Sequence, residues 1–453
     1  MTATDDGAEG WIGCGLDALA AARPQAPAIV TPDGTVAWAD FHRRVQIAAA
    51  GFHGRGVAAG AVAAIRLRDR PADLAALFAL LRLGAAALCL DPEEPDALNA
   101  ELMRRAGARF HLGDAGDPVP PGVTAIDLGA PDLATPDRAG IAPPDAPPLP
   151  PPPGPDTVAF VARSSGTAGG FPKLSPMTHR LHVRRAHGMV AAFPRGPGDR
   201  YLALVRIAFA FGRNAALRAL ESGGAVILPP PLRRAGDLAA AARRHGATWT
   251  VMTPAHLREL AASDAPSPIL GTMRILASTA ALSAEDRRRV RARVSPNLLV
   301  GYGSNEVGTL TLAQGDDHEA RPGSVGRLLP GVEAEVVDGD GRPLPPGETG
   351  ELRFRSPDFP QSYVDALPGQ ASRFAGGWYY PGDVGRIDAD GYLHLRGRAD
   401  DVINVGGVKV YPADIEAALA DHPAVAEAAA VGLAAGRTGG LAAVASGLRA
   451  PCT

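Results

Sequence analysis

Lysine is almost missing from this chain. Of 45 basic residues in 453, only Lys173 and Lys409 are lysines, so any chemistry that needs a primary ammonium has two candidates. Cysteine is nearly as scarce: Cys14, Cys89 and Cys452 lie far apart and form neither a metal-binding nor a disulfide spacing, which fits a reduced, cytoplasmic location. A surplus of positive charge is lacking too, and the net charge of -3 gives no electrostatic footprint for nucleic acid or an anionic membrane. The longest apolar run, Leu74 to Leu90, is interrupted by Arg82 and Gly84 and is short for a membrane span; it reads as a buried helix followed by a strand. The opening MTATDDGAEG is acidic and polar, unlike a secretory signal.

What is present is an ordinary hydrophobic content of 46% and enough chain for a large core and more than one domain. Helical and strand patterns alternate, which predicts an α/β protein. From Thr35 the text reads strand, amphipathic helix, glycine turn, strand; Ala72 to Leu83 then reads as a helix and Ala85 to Leu90 as an apolar strand ending at Asp91-Pro92. Further strands are expected at Val158 to Ala162, Leu202 to Ile207, Ala225 to Leu228, Trp249 to Met252, Arg274 to Ser278 and Leu298 to Gly301. The proline-rich stretch from Ala142 to Pro155 reads as a stiff surface link between subdomains. Between Gly331 and Arg355, D-G and P-G turns separate short strands, as in a small antiparallel or barrel-like unit.

Three stretches carry chemistry. Arg163 to Lys173, RSSGTAGGFPK, follows an expected strand; its small residues let backbone N–H groups turn toward a phosphate, and Ser164, Ser165, Thr167 and Lys173 add donors and charge. Gly301-Tyr302-Gly303-Ser304-Asn305-Glu306 sits at the carboxyl end of a strand, where ligands of open α/β sheets collect. An aromatic ring there can stack on a base, and a carboxylate can hold Mg²⁺ against phosphates. The third is the run from Gly377 to Gly432, which joins Pro381-Gly382-Asp383 to Gly397-Arg398-Ala399-Asp400. A carboxylate such as Asp383 accepts two O–H donors. Alone, a Ser/Gly-rich turn is a turn and a tyrosine between glycines is structural; the ordered set is specific.

In this order the motifs resemble those of the acyl-adenylating superfamily, which includes acyl-CoA synthetases, aryl-acid ligases, peptide-synthetase adenylation domains and luciferases. The resemblance runs from about Gly34 to Gly432. It implies a large α/β region of several subdomains over 1–396, with parallel-type sheets and a small β-rich unit, a hinge at 397–400 and a truncated α+β domain over 401–453. It also implies that Ser164, Ser165, Gly166, Thr167, Gly169 and Lys173 cover the ATP phosphates, and that Thr279 and Ala280 line the adenine site. Tyr302 and Gly303 would take adenine, Asn305 the α-phosphate, Glu306 the magnesium, Asp383 and Arg398 the ribose, and Asp400 the hinge. The departures are Ala168 for a hydroxyl residue, one extra residue before Pro172-Lys173, Asn305 for threonine and Pro381 for threonine.

Counting back from Ser222-Gly223-Gly224 puts Ala210 where amino-acid-activating relatives carry an aspartate, so an ordinary α-amino acid is disfavoured: its buried ammonium would have no partner. Phe209 and Phe211 point to an apolar acyl or aryl acid, or else are core packing. The implied reaction joins a carboxylic acid to AMP from ATP, with Mg²⁺, and passes the acyl group to the thiol of CoA or of a carrier protein's phosphopantetheine. A PxxxxGK lysine that relatives carry near their end is not matched, and the text after Gly432 matches nothing in the family. Three readings of that end stay open: a truncation or frameshift, a shortened enzyme completed by another subunit, or a catalytically silent ATP- or acyl-binding relative.

Overall fold

A computed structural model describes residues 10–130, 148–164, 171–190, 192–232, 234–364, 373–405, 408–420, 424–435 and 439–448. In chain order the first half gives α1 (Leu16–Ala22), β1 (Pro27–Thr31), β2 (Gly34–Ala37), α2 (Trp38–Gly54), β3 (Val62–Arg66), α3 (Pro71–Arg82), β4 (Ala86–Leu90) and α4 (Asp96–Arg105). β5 (Phe110–Gly113), β6 (Thr124–Asp127), β7 (Val158–Arg163), β8 (Leu174–Thr178) and α5 (His179–Val190) follow. Then come β9 (Arg200–Leu202), α6 (Ala210–Glu221), β10 (Ala225–Ile227), α7 (Ala235–His245), β11 (Trp249–Met252), α8 (Pro254–Ala262), β12 (Arg274–Ala277) and α9 (Ala284–Arg293). The remainder is β-rich: β13 (Leu298–Ser304), β14 (Gly308–Gln314), the short α10 (Asp317–Ala320), β15 (Arg327–Leu328), β16 (Glu333–Val337), β17 (Gly350–Arg355), β18 (Phe374–Ala375) and β19 (Trp378–Tyr379). Last are β20 (Asp383–Ile387), β21 (Leu393–Arg398), β22 (Ile403–Val405), β23 (Val408–Val410), α11 (Pro412–Ala420), β24 (Val425–Ala435) and β25 (Gly439–Leu448).

Two largely parallel sheets form the body. One runs β15-β14-β13-β12-β11-β9-β10-β1-β2, parallel from β13 to β1; the other runs β6-β5-β3-β4-β7-β8, parallel except for β8. Helices fill the space between them. Along α2, Trp38, Phe41, Val45, Ala49 and Phe52 recur at helical spacing and are buried, while α3 is buried on every side from Asp73 to Leu81. Phe41 meets Phe78 edge to face at 5.7 Å, in a core that also takes Phe160 of β7, Leu220 of α6 and Trp249 of β11. Each such ring contributes about 1.5–3 kcal/mol by leaving water. Asp73, fully buried, starts α3 by accepting the backbone N–H groups of Arg68 and Arg70 at 2.7 and 3.1 Å.

Two smaller antiparallel sheets complete the chain. β16 to β21 form one, ordered β18-β19-β17-β20-β21 with β16 beside β17, and β22 to β25 form the other, ordered β23-β22-β25-β24. Most expected strands are found, Trp249 to Met252 with the same limits. Leu202 to Ile207 is not one strand: β9 stops at Leu202, because the chain turns to start α6 and the Ile207 N–H donates to Asp69 at 2.8 Å instead of to a neighbouring strand. The turn packs so closely that a Cβ on Gly212 would lie 2.3 Å from the Val205 carbonyl oxygen. The tail beyond Gly432 also differs from expectation, since β24 continues to Ala435 and returns as β25, paired from Ala435↔Gly439 to Val425↔Leu448. Of the proline-rich link, 142–147 lies outside the described residues; Pro150 accepts from the Arg82 guanidinium at 2.9 Å, so the remainder rests on the end of α3. Among the described residues no helix is long and apolar enough to cross a membrane.

Buried histidine makes this fold sensitive to acid. His179 is fully buried, with Nδ1 accepting from the Ile12 N–H at 3.1 Å. Burial, and after it the neighbouring His182, pushes its pKa down to about 4. An unfolded histidine takes its proton near 6.5, so between there and pH 4 the unfolded chain holds more protons and acid favours unfolding. Stability from urea titrations should therefore fall from pH 7 to pH 4.5. His179→Asn, whose Oδ1 can replace Nδ1 as acceptor, should remove about 1–3 kcal/mol of that fall. An unchanged slope in the variant would rule out His179 as its source.

Candidate active site

Three segments remote in sequence meet where β7, β12 and β13 end. At β7, the last ladder pair is Arg163↔Leu174; beyond it the Ser164 N–H donates to the Lys173 carbonyl at 2.8 Å and the Lys173 N–H to the Ser164 hydroxyl at 2.9 Å. The two described ends of the expected phosphate loop, Ser164 and Lys173, are therefore clasped to each other. Ser165, Gly166, Thr167 and Gly169 lie outside the described residues. The Lys173 ammonium sits 5.1 Å from the centre of the Tyr363 ring, a cation–π contact. Burial and the Arg373 guanidinium lower its pKa, and Glu306 opposes them.

At the end of β13 the chain reverses tightly into β14, and a Cβ on Gly303 would fall 1.9 Å from the Gly308 carbonyl oxygen. That turn presents Ser304, Asn305 and Glu306. The Asn305 amide donates to the Arg163 carbonyl at 2.9 Å, fastening this turn to the end of β7. Glu306 is 8% exposed; Tyr363 donates to its Oε1 at 3.2 Å, and Arg185 donates to its backbone carbonyl at 2.8 Å. Burial, and then the Glu306 charge, pushes the Tyr363 phenol up, so it remains a donor. No three His, Cys, Asp or Glu side chains converge as a metal site among the described residues. Magnesium here would rest on Glu306 and on phosphate oxygens, the mixed coordination this ion favours.

The third segment is the edge of β20. Asp383 pairs across the ladder with Arg398, whose guanidinium reaches Oδ1 at 3.0 Å, while the Tyr302 hydroxyl donates to Oδ2 at 2.6 Å. Burial and Asp383 together hold the Tyr302 proton well above the usual phenol range. Each carboxylate oxygen keeps a lone pair for a further O–H donor. Arg398 also donates to the Pro381 carbonyl, and Ala399 N–H to the Gly382 carbonyl at 2.8 Å, so the approach to exposed Asp400 is tied to the same turn. Between these segments, exposed Thr279 and Ala280 follow β12, and Thr279 holds φ +84°, a conformation costly for a β-branched residue.

The expected acid-pocket residues open α6. Phe209 is 39% exposed and stacks on the Arg206 guanidinium at 5.1 Å; Arg206 in turn pairs with Asp91 and Glu93 at 2.9 and 2.7 Å. Ala210 is partly exposed, and Phe211 packs against the main core. Tyr363, Arg373 and Arg185 were missed by sequence reasoning. They flank Glu306 and Lys173 only through folding, and no local spacing marks them.

Comparison with known proteins follows this geometry. The model of the AMP-binding enzyme family matches residues 16–364. The chain belongs to that family. This AMP-binding chain is 34% identical over 333 residues to the sulfoacetate–CoA ligase of Cupriavidus necator, a match covering 72% of the chain and 63% of that protein, so it spans under two thirds of that relative's length. It is 32% identical over 435 residues to a salicyl-AMP ligase/salicyl-S-ArCP synthetase of Mycobacterium tuberculosis, covering 88% of the chain and 74% of that protein. The amide bond synthetase McbA of Marinactinospora thermotolerans superimposes with a TM-score of 0.84 at 25% identity, over 97% of the chain and 90% of McbA.

The Asp383 arrangement makes a direct test. Asp383→Asn should weaken ATP binding by about tenfold, since hydrogen bonds to a charged acceptor are worth roughly 1.5–3 kcal/mol. Tyr302→Phe, which keeps the ring, should lose less than Tyr302→Ala. Calorimetric titration with ATP decides; wild-type affinity in the Asn variant would remove Asp383 from the nucleotide site.

Proposed function

We propose that this AMP-binding chain activates a carboxylic acid with ATP and transfers the acyl group to a thiol. In the first step a carboxylate oxygen attacks the ATP α-phosphorus, and the bond to the bridging oxygen breaks, releasing pyrophosphate with the electron pair. In the second, a thiol sulfur attacks the acyl carbon and AMP leaves. The observation that carries this reading is the linkage of Lys173 and Glu306 through Tyr363, with Asp383 held by Tyr302 four residues before Glu306. Lys173 and Arg373 would face the phosphates, Asp383 and Arg398 the ribose, and Tyr302 the base. Glu306 would hold the Mg²⁺, which supplies positive charge to the leaving pyrophosphate. The protein's own part is alignment and fixed charge. Asp400 would be the pivot between a large region over 1–396 and a small one over 401–453. Three dispersed cysteines fit a cytoplasmic setting.

The acceptor has two readings, CoA and the phosphopantetheine of a carrier protein. Relatives of both kinds support them, a CoA ligase and a salicyl-S-ArCP synthetase.

Acid-dependent ATP–pyrophosphate exchange over fatty, aryl and amino acids tests the first step, and parallel assays with CoA and a holo-carrier protein test the second. Exchange should appear with a non-amino acid and fall by roughly 10²–10³-fold in Lys173→Ala, the cost of losing one electrostatic donor. ATP binding without exchange would favour a non-catalytic binding protein if it persists in a chimera carrying a relative's complete small domain. Exchange restored in the chimera would locate the deficit in the small domain.

A further inference from the structure

The helix that begins with the expected acid-pocket residues carries, further along the same face, an arginine that forms no ion pair among the described residues. On α6, Ala210, Phe211, Asn214, Arg218 and Glu221 are the positions that keep some exposure, while those between them are buried. Ala210, Asn214 and Arg218 are spaced by four, so they share one side of the helix. Arg218 lies about 12 Å along the axis from Ala210 at 1.5 Å per residue. Its Nε is buried without a hydrogen-bond partner, and among the described residues its guanidinium makes no ion pair.

A second guanidinium approaches from α5. Arg185 spends Nη2 on the Glu306 carbonyl at 2.8 Å and Nε on the Asp358 carbonyl at 3.3 Å, and its buried Nη1 has no partner. The two arginines are close enough to repel. Burial chiefly, with Arg218 among the charges acting against it, pushes Arg185 down to about 10 despite Asp358 and Glu306; burial also lowers Arg218, against Glu221. Of the nearby carboxylates, Asp358 pairs with Arg184 at 3.3 Å, while Glu221, 3.6 Å from His182, is the one that acts on Arg218. Arg184, Arg185, Arg218 and Arg195 outnumber Asp358 and Glu221, so a surplus of positive charge with open buried donors remains beside the expected reacting centre. Such a surplus is costly until an oxyanion fills it.

We infer that the acid activated here carries a second oxyanion, such as a carboxylate or sulfonate, held by Arg185 and Arg218 while its reacting carboxylate lies toward Glu306. This inference rests on the adenylation reading and narrows the apolar or aryl acid expected from Phe209 and Phe211 to one with a charged far end. Planar guanidiniums suit such a group because they offer paired donors.

The test uses acids matched in shape and differing in one charge: adipate against monomethyl adipate, and terephthalate against monomethyl terephthalate. Binding is measured by calorimetry on the full chain saturated with α,β-methylene-ATP, whose own binding is measured first. The free diacid of at least one pair should bind about tenfold or more tightly than its ester. Arg218→Met should erase that difference and Arg218→Lys should keep part of it, with nucleotide affinity unchanged in both. Equal binding within both pairs, or no binding of any of the four acids, overturns the inference and leaves nucleotide binding, and with it the adenylation reading, standing. A preference that survives Arg218→Met, or a matching loss of nucleotide affinity in that variant, also overturns it, the latter by giving the guanidinium to a phosphate. Failure of the nucleotide analogue to bind while the diacid preference holds would instead sink the adenylation reading, and with it the claim that the bound diacid is activated, leaving only an oxyanion site at Arg185 and Arg218.

Discussion

The Asp383 carboxylate, held between the Tyr302 hydroxyl and the Arg398 guanidinium, is the contact on which the site depends. It joins the end of β13, in the nine-stranded sheet, to the ladder of β20 and β21 in an antiparallel sheet. Charge-assisted bonds of this kind are shorter and stronger than neutral ones, and the one from Tyr302 is 2.6 Å. Because β21 runs straight on to Ala399 and Asp400, whatever fixes Arg398 also fixes where the last small sheet departs. Glu306 lies four residues past Tyr302, so the same anchor constrains the distance between the Asp383 and Glu306 carboxylates.

A second constraint links the two large sheets. The turn after β4 sends Asp91 and Glu93 to Arg206, just before α6, and Glu94 to Arg163, at the end of β7, at 2.5 Å. Asp69, at φ +58°, accepts from Ile207 beside them. One acidic turn thus braces both segments. Arginine suits this task better than lysine would, because its planar fork can satisfy two carboxylates from one head group, as Arg206 does.

Much of this was legible in the chain. Alternating apolar periods located the strands of the parallel sheets, and the motifs singled out Lys173, Tyr302, Glu306, Asp383 and Arg398, which the fold ties together through Tyr363 and through the Tyr302–Asp383 bond. The rest was hidden for physical reasons. Leu202 to Ile207 is apolar enough for a strand, yet its last residues turn because α6 packs against them through Gly212, a tertiary demand. The hairpin of β24 and β25 is built from alanine and glycine, which carry little strand preference, so only pairing with a partner defines it. Tyr363, Arg373 and Arg185 owe their place to contacts across remote segments, which no local pattern encodes.

The near absence of lysine has a chemical consequence for a chain read as making acyl adenylates. Such mixed anhydrides acylate primary amines, and an intermediate that escaped its cleft would ordinarily modify the nearest lysines of its maker. Here the surface cations are arginines, whose guanidinium stays protonated and is a poor nucleophile. Of the two lysine amines, Lys173 has its ammonium against the ring of Tyr363 in the site itself. On that reading the chain would be a poor target for its own reactive product, and Lys173 is a well-placed residue on which self-inflicted acylation would register.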